Sequence, residues 1–510
     1  MENSYLLSVM SLKMEITESS PSLTPKIAIV GAGFSGLCMA IKLKTELNLD
    51  TFTVFEGCEE VGGTWFVNTY PGCACDIPSH FYSFSFAPKY DWSHSFSPQP
   101  EILEYTKDVT RKFGIYPHIR FQTRVETLRW DEKNLKWRAT VLDVKKQRVE
   151  SHDFDIIING TGKIRIPHYP TEFLDFKGPR IHSAEWDNSV DLTGKRVGIV
   201  GTGASAVQII TTIAEKVEHL TIFQRKAPFI IPRPQVEYSK STNWAFQTLP
   251  GLYKLSRASI FWFLEVAYTM THHNSLVNKS ANQLAIWYRN SQLKDPELRK
   301  KATPNYTFAC KRVILSETYY STLTRPNVEL ITERINKVGG NKITTTDGKD
   351  IELDVLILAT GYQPHDFFSP MRVYGQEGVD VLEEWKKDRP KGYMGISSHD
   401  MPNFYTLLGP YSALGHSSNL YTIECQVEWT IKAIKTMMDK GAKCMTVTKE
   451  TETGFMKFID EKIGHTVWGN DDCGSWYLDA KGQNTTLWPH HNVAYWNWCR
   501  KVDENMFEFK

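Results

Sequence analysis

Two glycine-rich turns in this sequence have the spacing of phosphate-binding loops. The first, GAGFSG at residues 31–36, follows a short apolar run and precedes a segment of helical periodicity. In such a loop Gly31 allows a tight turn, Gly33 lets a pyrophosphate approach the backbone, and Gly36 lets helix and strand pack closely. The N-terminus of the helix then attracts the phosphates. A tight turn in an unrelated α/β protein is the alternative, because the motif alone has low specificity.

Charge distinguishes the two loops. Glu56 ends the strand after the first loop, where a carboxylate accepts hydrogen bonds from a ribose and repels a 2′-phosphate, so this loop suits FAD or NAD. The second loop, GTGASA at residues 201–206, is followed by a strand that ends in Gln224, Arg225 and Lys226. An arginine pairs bidentately with a 2′-phosphate, so this loop predicts NADP, unless the two cations form only a solvated strand end. Together the loops predict an enzyme in which hydride passes from NADPH to FAD.

The elements around each loop predict two Rossmann-like units. Apolar runs typical of buried parallel strands bracket a helical segment after each loop, and two further runs end in a Thr-Gly turn. The predicted class is therefore α/β, with two Rossmann-like dinucleotide-binding domains and a helical insertion. The predicted strands lie at 26–31, 52–56, 153–162, 196–201, 219–225 and 354–362. The predicted organisation is a flexible extension at 1–24, an FAD-binding domain at 25–165 and 366–510, an NADP-binding domain at 166–235 and 304–365, and the insertion at 236–303.

Composition narrows the function classes. The 510 residues are 41% hydrophobic, enough for a large core and two or more domains. The 59 basic and 58 acidic side chains leave a net charge of +1, which argues against nucleic-acid binding. Cys73 and Cys75 form a C-x-C pair that lacks the second half of a zinc site, so no metal site is predicted. We expect reduced thiols in a cytoplasmic protein.

No segment predicts a signal peptide or a membrane span. Residues 1–24 lack a basic flank and a cleavage-like site, and they are more acidic than basic. The best candidate for a span, residues 259–270, falls short of the ~20 apolar residues required and contains Glu265. This segment predicts a buried or substrate-facing helix, with contact with a membrane surface as a lesser alternative.

Two further motifs carry a resemblance to a known family. The sequence FKGPRIHSAEWD at residues 176–187 matches F-x-G-x3-H-x3-W-[PD], and residues 62–76 match [AG]-G-x-W-x4-[FY]-P-[GM]-x3-D. The C-x4-C pair of a disulfide reductase is missing after the first loop. From about Lys26 to its C-terminus, the chain resembles the flavoprotein Baeyer–Villiger monooxygenases. The matching residues are Phe176, Gly178, His182, Trp186 and Asp187 in the first motif, and Gly62, Gly63, Trp65, Tyr70, Pro71, Gly72 and Asp76 in the second.

The resemblance implies roles for single residues. Lys311 would reach the 2′-phosphate beside Arg225, and Arg312 would be the active-site arginine, oriented by a salt bridge to Asp76. A fixed cation at that place stabilises negative charge that develops during the reaction. The implied FAD contacts are Gly31, Gly33, Ser35, Gly36, Glu56, Gly63, Thr64, Trp65, Asp76, Tyr82 and Val125, and the implied NADP contacts are Gly201, Thr202, Gly203, Ser205, Ala206, Arg225, Lys311 and Arg312.

Three other segments are assigned by resemblance only. His182 and Trp186 would lie at the hinge between the two domains and couple cofactor movement to catalysis. A satisfied core histidine and a packing tryptophan are the compatible alternative. The stretch 407–419 resembles the family's glycine-rich segment near the flavin ring, but it has Tyr411 and Ser412 where the family often has Asn-Thr. Trp476 would help to close the substrate site.

The implied reaction is the insertion of one oxygen atom beside a ketone carbonyl to give an ester or lactone. Its partners would be a small-molecule ketone and O2. A monooxygenase of the same fold that oxidises nitrogen or sulfur, or that hydroxylates, is one alternative, because fold and cofactor sites do not decide the chemistry. A non-oxygenating NADPH–flavin oxidoreductase is the other, and the matching Asp76 and Arg312 argue against it.

Overall fold

The computed structural model describes residues 24–273, 275–469 and 473–510. The predicted extension at 1–24 lies outside the described residues except for Thr24. Within these ranges the helices are α1 Phe34–Glu46, α2 Thr64–Val67, α3 Gln99–Lys112, α4 Ala204–Ile213, α5 Lys240–Thr248, α6 Pro250–Ala267, α7 Leu276–Gln292, α8 Pro296–Lys301, α9 Tyr319–Leu323, α10 Val381–Lys387, α11 Asn419–Asp439, α12 Lys449–Ile463 and α13 Asn492–Cys499. The strands are β1 Ile27–Val30, β2 Phe52–Phe55, β3 Ile119–Arg120, β4 Thr123–Asp131, β5 Lys136–Asp143, β6 Arg148–Phe154, β7 Ile156–Asn159, β8 Arg180–His182, β9 Arg196–Val200, β10 His219–Phe223, β11 Ile230–Ile231, β12 Ile314–Leu315, β13 Val328–Ile331, β14 Ile335–Gly339, β15 Lys342–Thr345, β16 Asp350–Glu352, β17 Val355–Leu358, β18 Arg372–Tyr374, β19 Phe404–Thr406, β20 Met445–Val447 and β21 Phe507–Phe509.

The first glycine-rich loop lies at the carboxyl ends of the strands of a five-stranded parallel sheet. The strand order is β19-β7-β1-β2-β3. Every residue of β1 and β7 is buried, as expected for strands covered on both faces. The register pairs Val30 with both Phe55 and Asn159, so the loops after three strands meet at one edge. Parallel α/β sheets bind their ligands at such an edge.

A second parallel sheet repeats this arrangement around the second loop. Its order is β13-β10-β9-β17-β8. The register pairs Val200 with Phe223 and with Leu358, so Gly201 begins the loop at the carboxyl edge of the sheet. Helix α4 follows directly. The two apolar runs that end in a Thr-Gly turn are β7 and β17, one in each sheet, as the sequence predicted.

The remaining elements complete an α/β fold with a helical insertion. Helices α5 to α8 occupy the segment predicted as the insertion. Helix α1 packs on α11, which connects the beginning of the chain to its C-terminal third. The predicted fold class is confirmed. The domain boundaries at residues 165, 235, 303 and 365 stay a prediction.

One pair of cysteines is not in the reduced state that the sequence predicted. Cys310 and Cys473 form a disulfide with a Cα–Cα distance of 6.0 Å, although 163 positions separate them in the sequence. The prediction of reduced thiols is wrong for this pair, because only the tertiary fold brings the two side chains together. The other cysteines carry free thiols. In the described part of the chain, no cluster of His, Cys, Asp or Glu side chains is arranged to hold a metal ion.

The described helices include none that is long and apolar enough to cross a membrane.

Candidate cofactor sites and active site

The first loop has the close backbone packing that glycine permits. Gly31 has a φ of +98°, and its N–H donates to the carbonyl of Phe55 at 2.8 Å. A Cβ atom on Gly36 would lie 1.8 Å from the carbonyl oxygen of Gly31, so no larger residue fits there. Ser35 and Gly36 lie in the first turn of α1. The loop thus presents backbone N–H groups at the N-terminus of a helix, as a pyrophosphate requires.

A second glycine segment faces this loop. Gly63 has a φ of +52°, and a Cβ atom there would lie 3.0 Å from the Cα of Gly33. Thr64 and Trp65 then begin α2, and the indole N–H of Trp65 donates to the hydroxyl of Tyr82 at 3.1 Å. Because Gly33 and Gly63 have no side chains, the backbone is accessible on both sides of the space between them. This arrangement fits a bound dinucleotide. Val125 is buried in β4, in the same apolar cluster as Val30 of β1.

Glu56 holds the first loop through its carboxylate. The carboxylate accepts the backbone N–H of Ala32 at 2.6 Å and that of Cys58 at 2.8 Å. Glu56 itself is buried at the end of β2. A carboxylate has about four lone-pair positions, so two remain for ribose hydroxyls. The ribose contact stays a prediction.

Replacing Glu56 with alanine should weaken FAD binding by at least about tenfold, because the loop loses two charge-assisted hydrogen bonds and the ribose loses its acceptor. The dissociation constant is measured by titrating the flavin-free protein with FAD. Glu59→Ala is the matched control, since Glu59 is exposed three positions further on. Equal FAD affinity in the Glu56 variant and in this control would show that Glu56 does not contribute.

The second loop is more open than the first. Gly201 has a φ of +110°, and a Cβ atom there would lie 2.5 Å from the carbonyl oxygen of Ala359. A Cβ atom on Gly203 meets nothing within 4 Å, which leaves space for a ligand above α4. The hydroxyl of Thr202 donates to the carbonyl of Lys226 at 3.0 Å and so holds the loop against the strand end. Ser205 and Ala206 lie in the first turn of α4.

Three cations converge beside this loop. Burial and then the charges of Lys226 and Arg225 lower the pKa of Lys311 to about 8. The ammonium of Lys311 also lies 4.8 Å from the ring centroid of Tyr306. Cations that destabilise one another in this way form a site that an anion stabilises. The cluster therefore fits a 2′-phosphate, and the structure brings together Arg225 and Lys311, which the sequence places far apart.

Binding of NADPH should depend on pH through Lys311. The side chain is charged below pH about 8 and neutral above it, whereas a phosphate monoester, with a second pKa of about 6, stays dianionic from about pH 7 upward. The affinity for NADPH should therefore be constant near pH 7 and fall by up to about tenfold toward pH 9.5. Lys311→Arg should abolish this fall, because an arginine stays charged. Titrations with NADPH and NADH at each pH test this, and a parallel fall for NADH would contradict it.

The active-site pair expected from the resemblance is present as a salt bridge. The guanidinium of Arg312 donates to both carboxylate oxygens of Asp76 at 2.8 Å, from Nε and from Nη2. Its Nη1 donates to the carbonyl of Gly415 at 3.1 Å. Burial opposes the charge of Arg312, but Asp76 more than offsets this and holds the pKa above its usual value. Arg312 is thus a permanently charged group in a fixed orientation.

His416 is a candidate functional residue that the sequence did not single out. It follows Gly415 and is buried, and neither ring nitrogen makes a hydrogen bond of regular geometry with the residues that the structure describes, while the side chain of Asn492 lies beside the ring. Burial, followed by the charge of Arg312, lowers the pKa of its ring to about 3. A neutral imidazole beside a fixed cation is equipped to bind an uncharged polar ligand. The sequence shows only a histidine in a glycine-rich stretch, because burial and hydrogen bonding depend on the fold.

The other motif residues have local roles. The Nδ1 atom of His182 accepts the backbone N–H of Ala184 at 3.0 Å, and its Nε2 atom lies 3.3 Å from the hydroxyl of Thr360, so both ring nitrogens of this buried histidine have partners. Trp186 packs partly buried against the main core. The hydroxyl of Tyr411 donates to the carbonyl of Pro390 at 3.0 Å. Trp476 is exposed and contacts the ring of Tyr477.

The comparison with known proteins agrees with this geometry. Residues 24–453 match the profile of a family described as flavin-binding monooxygenase-like. The chain belongs to this flavin-binding monooxygenase-like family. The match confirms the resemblance predicted from the sequence motifs.

Individual members of the flavin-binding monooxygenase-like family match over nearly the whole chain. A Baeyer–Villiger monooxygenase of Pseudomonas aeruginosa is 36% identical over 485 residues, which cover 94% of this chain and 91% of that protein. One of Streptomyces coelicolor is 36% identical over 483 residues, with the same coverage. The closed crystal structure of cyclohexanone monooxygenase has a TM-score of 0.84 at 26% identity and covers 95% of this chain and 99% of its own. The structure of OTEMO with FAD and NADP has a TM-score of 0.83 at 26% identity, with the same coverage.

Proposed function

We propose that the protein is an FAD-dependent Baeyer–Villiger monooxygenase that uses NADPH and O2 to convert a ketone into an ester or lactone. One ketone, one O2, one NADPH and one proton give one ester, one NADP+ and one water. The enzyme class and the two cofactors predicted from the sequence are confirmed by relatives and structural neighbours named as such enzymes or solved with these cofactors. A small-molecule ketone as the substrate is our proposal.

The salt bridge between Asp76 and Arg312 is the observation that carries this proposal. Hydride transfer alone needs only bound nicotinamide and flavin, and the 2′-phosphate would be held by the cations beside the second loop. Arg312 is a separate cation, fixed at two carboxylate oxygens and one carbonyl. A preorganised charge of this kind stabilises an anion that forms only during oxygen transfer.

The protein residues would divide the work as follows. FAD, when bound, supplies the redox chemistry that transfers electrons from NADPH to O2. The two glycine edges at Gly33 and Gly63 would hold its pyrophosphate, and Arg225 with Lys311 would hold the 2′-phosphate of NADPH. Arg312 would stabilise developing negative charge. Asp76 would keep the guanidinium in its orientation.

We also assign His416 to the substrate. Its neutral ring would donate a hydrogen bond to the carbonyl oxygen of the ketone and so orient the carbon that receives oxygen. Replacing His416 with phenylalanine should lower kcat/KM for the ketone by about tenfold, the value of one hydrogen bond to a polar ligand. The NADPH affinity should stay unchanged.

The pH profile separates this role from proton transfer. With a pKa near 3, His416 stays neutral over the working range, so its contribution should be constant with pH. His168→Phe, at an exposed histidine, is the control. Wild-type kcat/KM in the His416 variant would remove the residue from the substrate site.

Product analysis tests the reaction itself. The FAD-loaded protein is incubated with NADPH, O2 and a panel of cyclic and linear ketones beside a thioether, and products are identified by mass. Esters or lactones from ketones are the expected result. Sulfoxide alone would assign the chain to heteroatom oxidation, and NADPH consumption with hydrogen peroxide as the sole product would assign it to a reductase.

A further inference from the structure

One helix of the insertion presents an apolar face to solvent. Leu252, Leu255, Trp262, Phe263 and Val266 of α6 are exposed by 39% to 73% of their surface. Their spacing places them within about 100° of arc on one side of an α-helix. The opposite side is buried through Tyr253, Leu264 and Ala267. The helix is therefore apolar both toward the core and toward solvent.

The neighbouring helix extends this surface. Helix α5 packs on α6 and adds the exposed Trp244, and the connecting residue Leu249 is exposed as well. Contiguous exposed apolar surface of this kind marks an interaction site, because single exposed apolar residues are common but clusters are not. We call Trp244, Leu249, Leu252, Leu255, Trp262, Phe263 and Val266 the α5–α6 apolar face.

The segment that carries the face is rich in basic side chains. Between residues 238 and 294 the acidic side chain is Glu265 alone, against four lysines and two arginines. Arg257 is turned inward onto the carbonyls of His80 and Ser83, and Arg289 is buried, so the exposed cations are Lys240, Lys254, Lys279 and Lys294. Glu265 is turned toward the protein, where it accepts the backbone N–H groups of Asn492 and Val493 at 2.9 Å.

We propose that the α5–α6 apolar face docks the protein on the surface of an anionic lipid bilayer. Exposed tryptophan, phenylalanine and leucine flanked by lysine is the composition of helices that lie in the interface plane of a membrane. Each lysine near an anionic surface adds attraction. A second copy of the chain is a poorer occupant, because a face-to-face contact would bring the lysines of both copies together without acidic partners on this face.

The position of the α5–α6 apolar face suggests that docking would bring the active site close to substrate dissolved in the bilayer. This part of the inference rests on the proposed function. Directly after α6, Tyr268, Thr269 and His272 line an open pocket of about 690 Å³, together with His490 and His491. The ring of Tyr268 lies 5.1 Å from that of His416. His416 follows Gly415, whose carbonyl oxygen accepts a hydrogen bond from the guanidinium of Arg312. These contacts connect the end of the docking helix to the active-site arginine, so on the proposed function the docked protein would take a ketone dissolved in lipid at this end of the molecule.

Binding to vesicles tests the docking without any measurement of activity. The FAD-loaded full-length protein is floated with vesicles of phosphatidylcholine containing about 30 mol% phosphatidylglycerol, and with phosphatidylcholine alone. We expect binding to the anionic vesicles that about 0.5 M NaCl weakens. Phe263→Glu and Val266→Glu should each lower the partition coefficient by about tenfold or more. Val149→Glu is the matched control, an equally exposed valine on β6, and should bind like the wild type.

Other outcomes would overturn the proposal. One is no flotation of the wild type with anionic vesicles. Another is a dimer in lipid-free solution that Phe263→Glu dissociates, since this would assign the face to a second copy. Flotation only after removal of residues 1–23 would assign the face to that segment. Retained FAD in each variant shows that the fold is intact. Flotation of a protein that forms no ester would leave the docking standing and refute the proposed function.

Discussion

Replacing Arg312 with alanine should lower the rate of ester formation by about 100- to 1,000-fold, the cost of removing a preorganised group that stabilises developing charge. The structure gives the reason. Arg312 is held at three points, two on Asp76 and one on Gly415, so its charge needs no reorganisation during the reaction. NADPH binding should persist, because Arg225 and Lys311 form a separate cation cluster. Ester formation and NADPH oxidation are measured in the same assay.

Two further variants separate charge from orientation. Arg312→Lys keeps the charge but loses the two parallel N–H groups that fit a carboxylate. Its rate of ester formation should therefore lie between those of the wild type and the alanine variant. Asp76→Ala keeps the guanidinium but removes its two acceptors, and it should show a milder loss than Arg312→Ala. Arg138→Ala is the control, because Arg138 forms an exposed pair with Asp153 in a different sheet. Wild-type ester yield from Arg312→Ala would show that the residue has no catalytic role.

Replacing Arg225 with alanine should remove most of the preference for NADPH over NADH. A charge-assisted contact is worth about 1.5–3 kcal/mol, so the affinity for NADPH should fall by about 10- to 150-fold while that for NADH stays constant. Arg225 is exposed two positions after the end of β10, where a side-chain deletion leaves the core intact. Affinities for both cofactors are measured by titration.

The control for this variant is another arginine of the same sheet region. Arg325 pairs with Glu215 at 3.0 Å and lies next to β13. Arg325→Ala should leave both affinities unchanged. An equal loss of NADPH and NADH affinity in Arg225→Ala would mean that the residue supports the fold of the loop rather than the 2′-phosphate.

The sequence was sufficient for the features that depend on local chemistry. Apolar runs gave β1 and β9, and the glycine spacing gave both loops, because a turn that needs positive φ or a missing Cβ accepts almost no other residue. The opposite charges of Glu56 and Arg225 were predictable as well, because each residue follows its loop closely in the sequence. The pairing of Arg312 with Asp76 depended on resemblance, since 236 positions separate the two residues.

The remaining features depend on contacts between distant segments. The Cys310–Cys473 disulfide and the burial of His416 follow from the way the C-terminal third packs against the rest. The sequence favoured a buried or substrate-facing helix at residues 259–270 over contact with a membrane surface, because a helix with apolar residues on two sides is typical of a core. The exposure of Trp262, Phe263 and Val266 shows that one of these sides is uncovered. The sequence pattern identifies the apolar faces of a helix, whereas only the tertiary structure shows which of these faces is covered by other elements.

The most direct test of the proposed function follows the oxygen atom. The FAD-loaded protein is supplied with NADPH, ¹⁸O2 and a ketone that it accepts, and the ester is analysed by mass while NADPH consumption is recorded. We predict one ¹⁸O atom in each ester molecule and one ester for each NADPH oxidised. An ester without the label, or NADPH oxidation balanced entirely by hydrogen peroxide, would contradict the assignment of this chain as a Baeyer–Villiger monooxygenase.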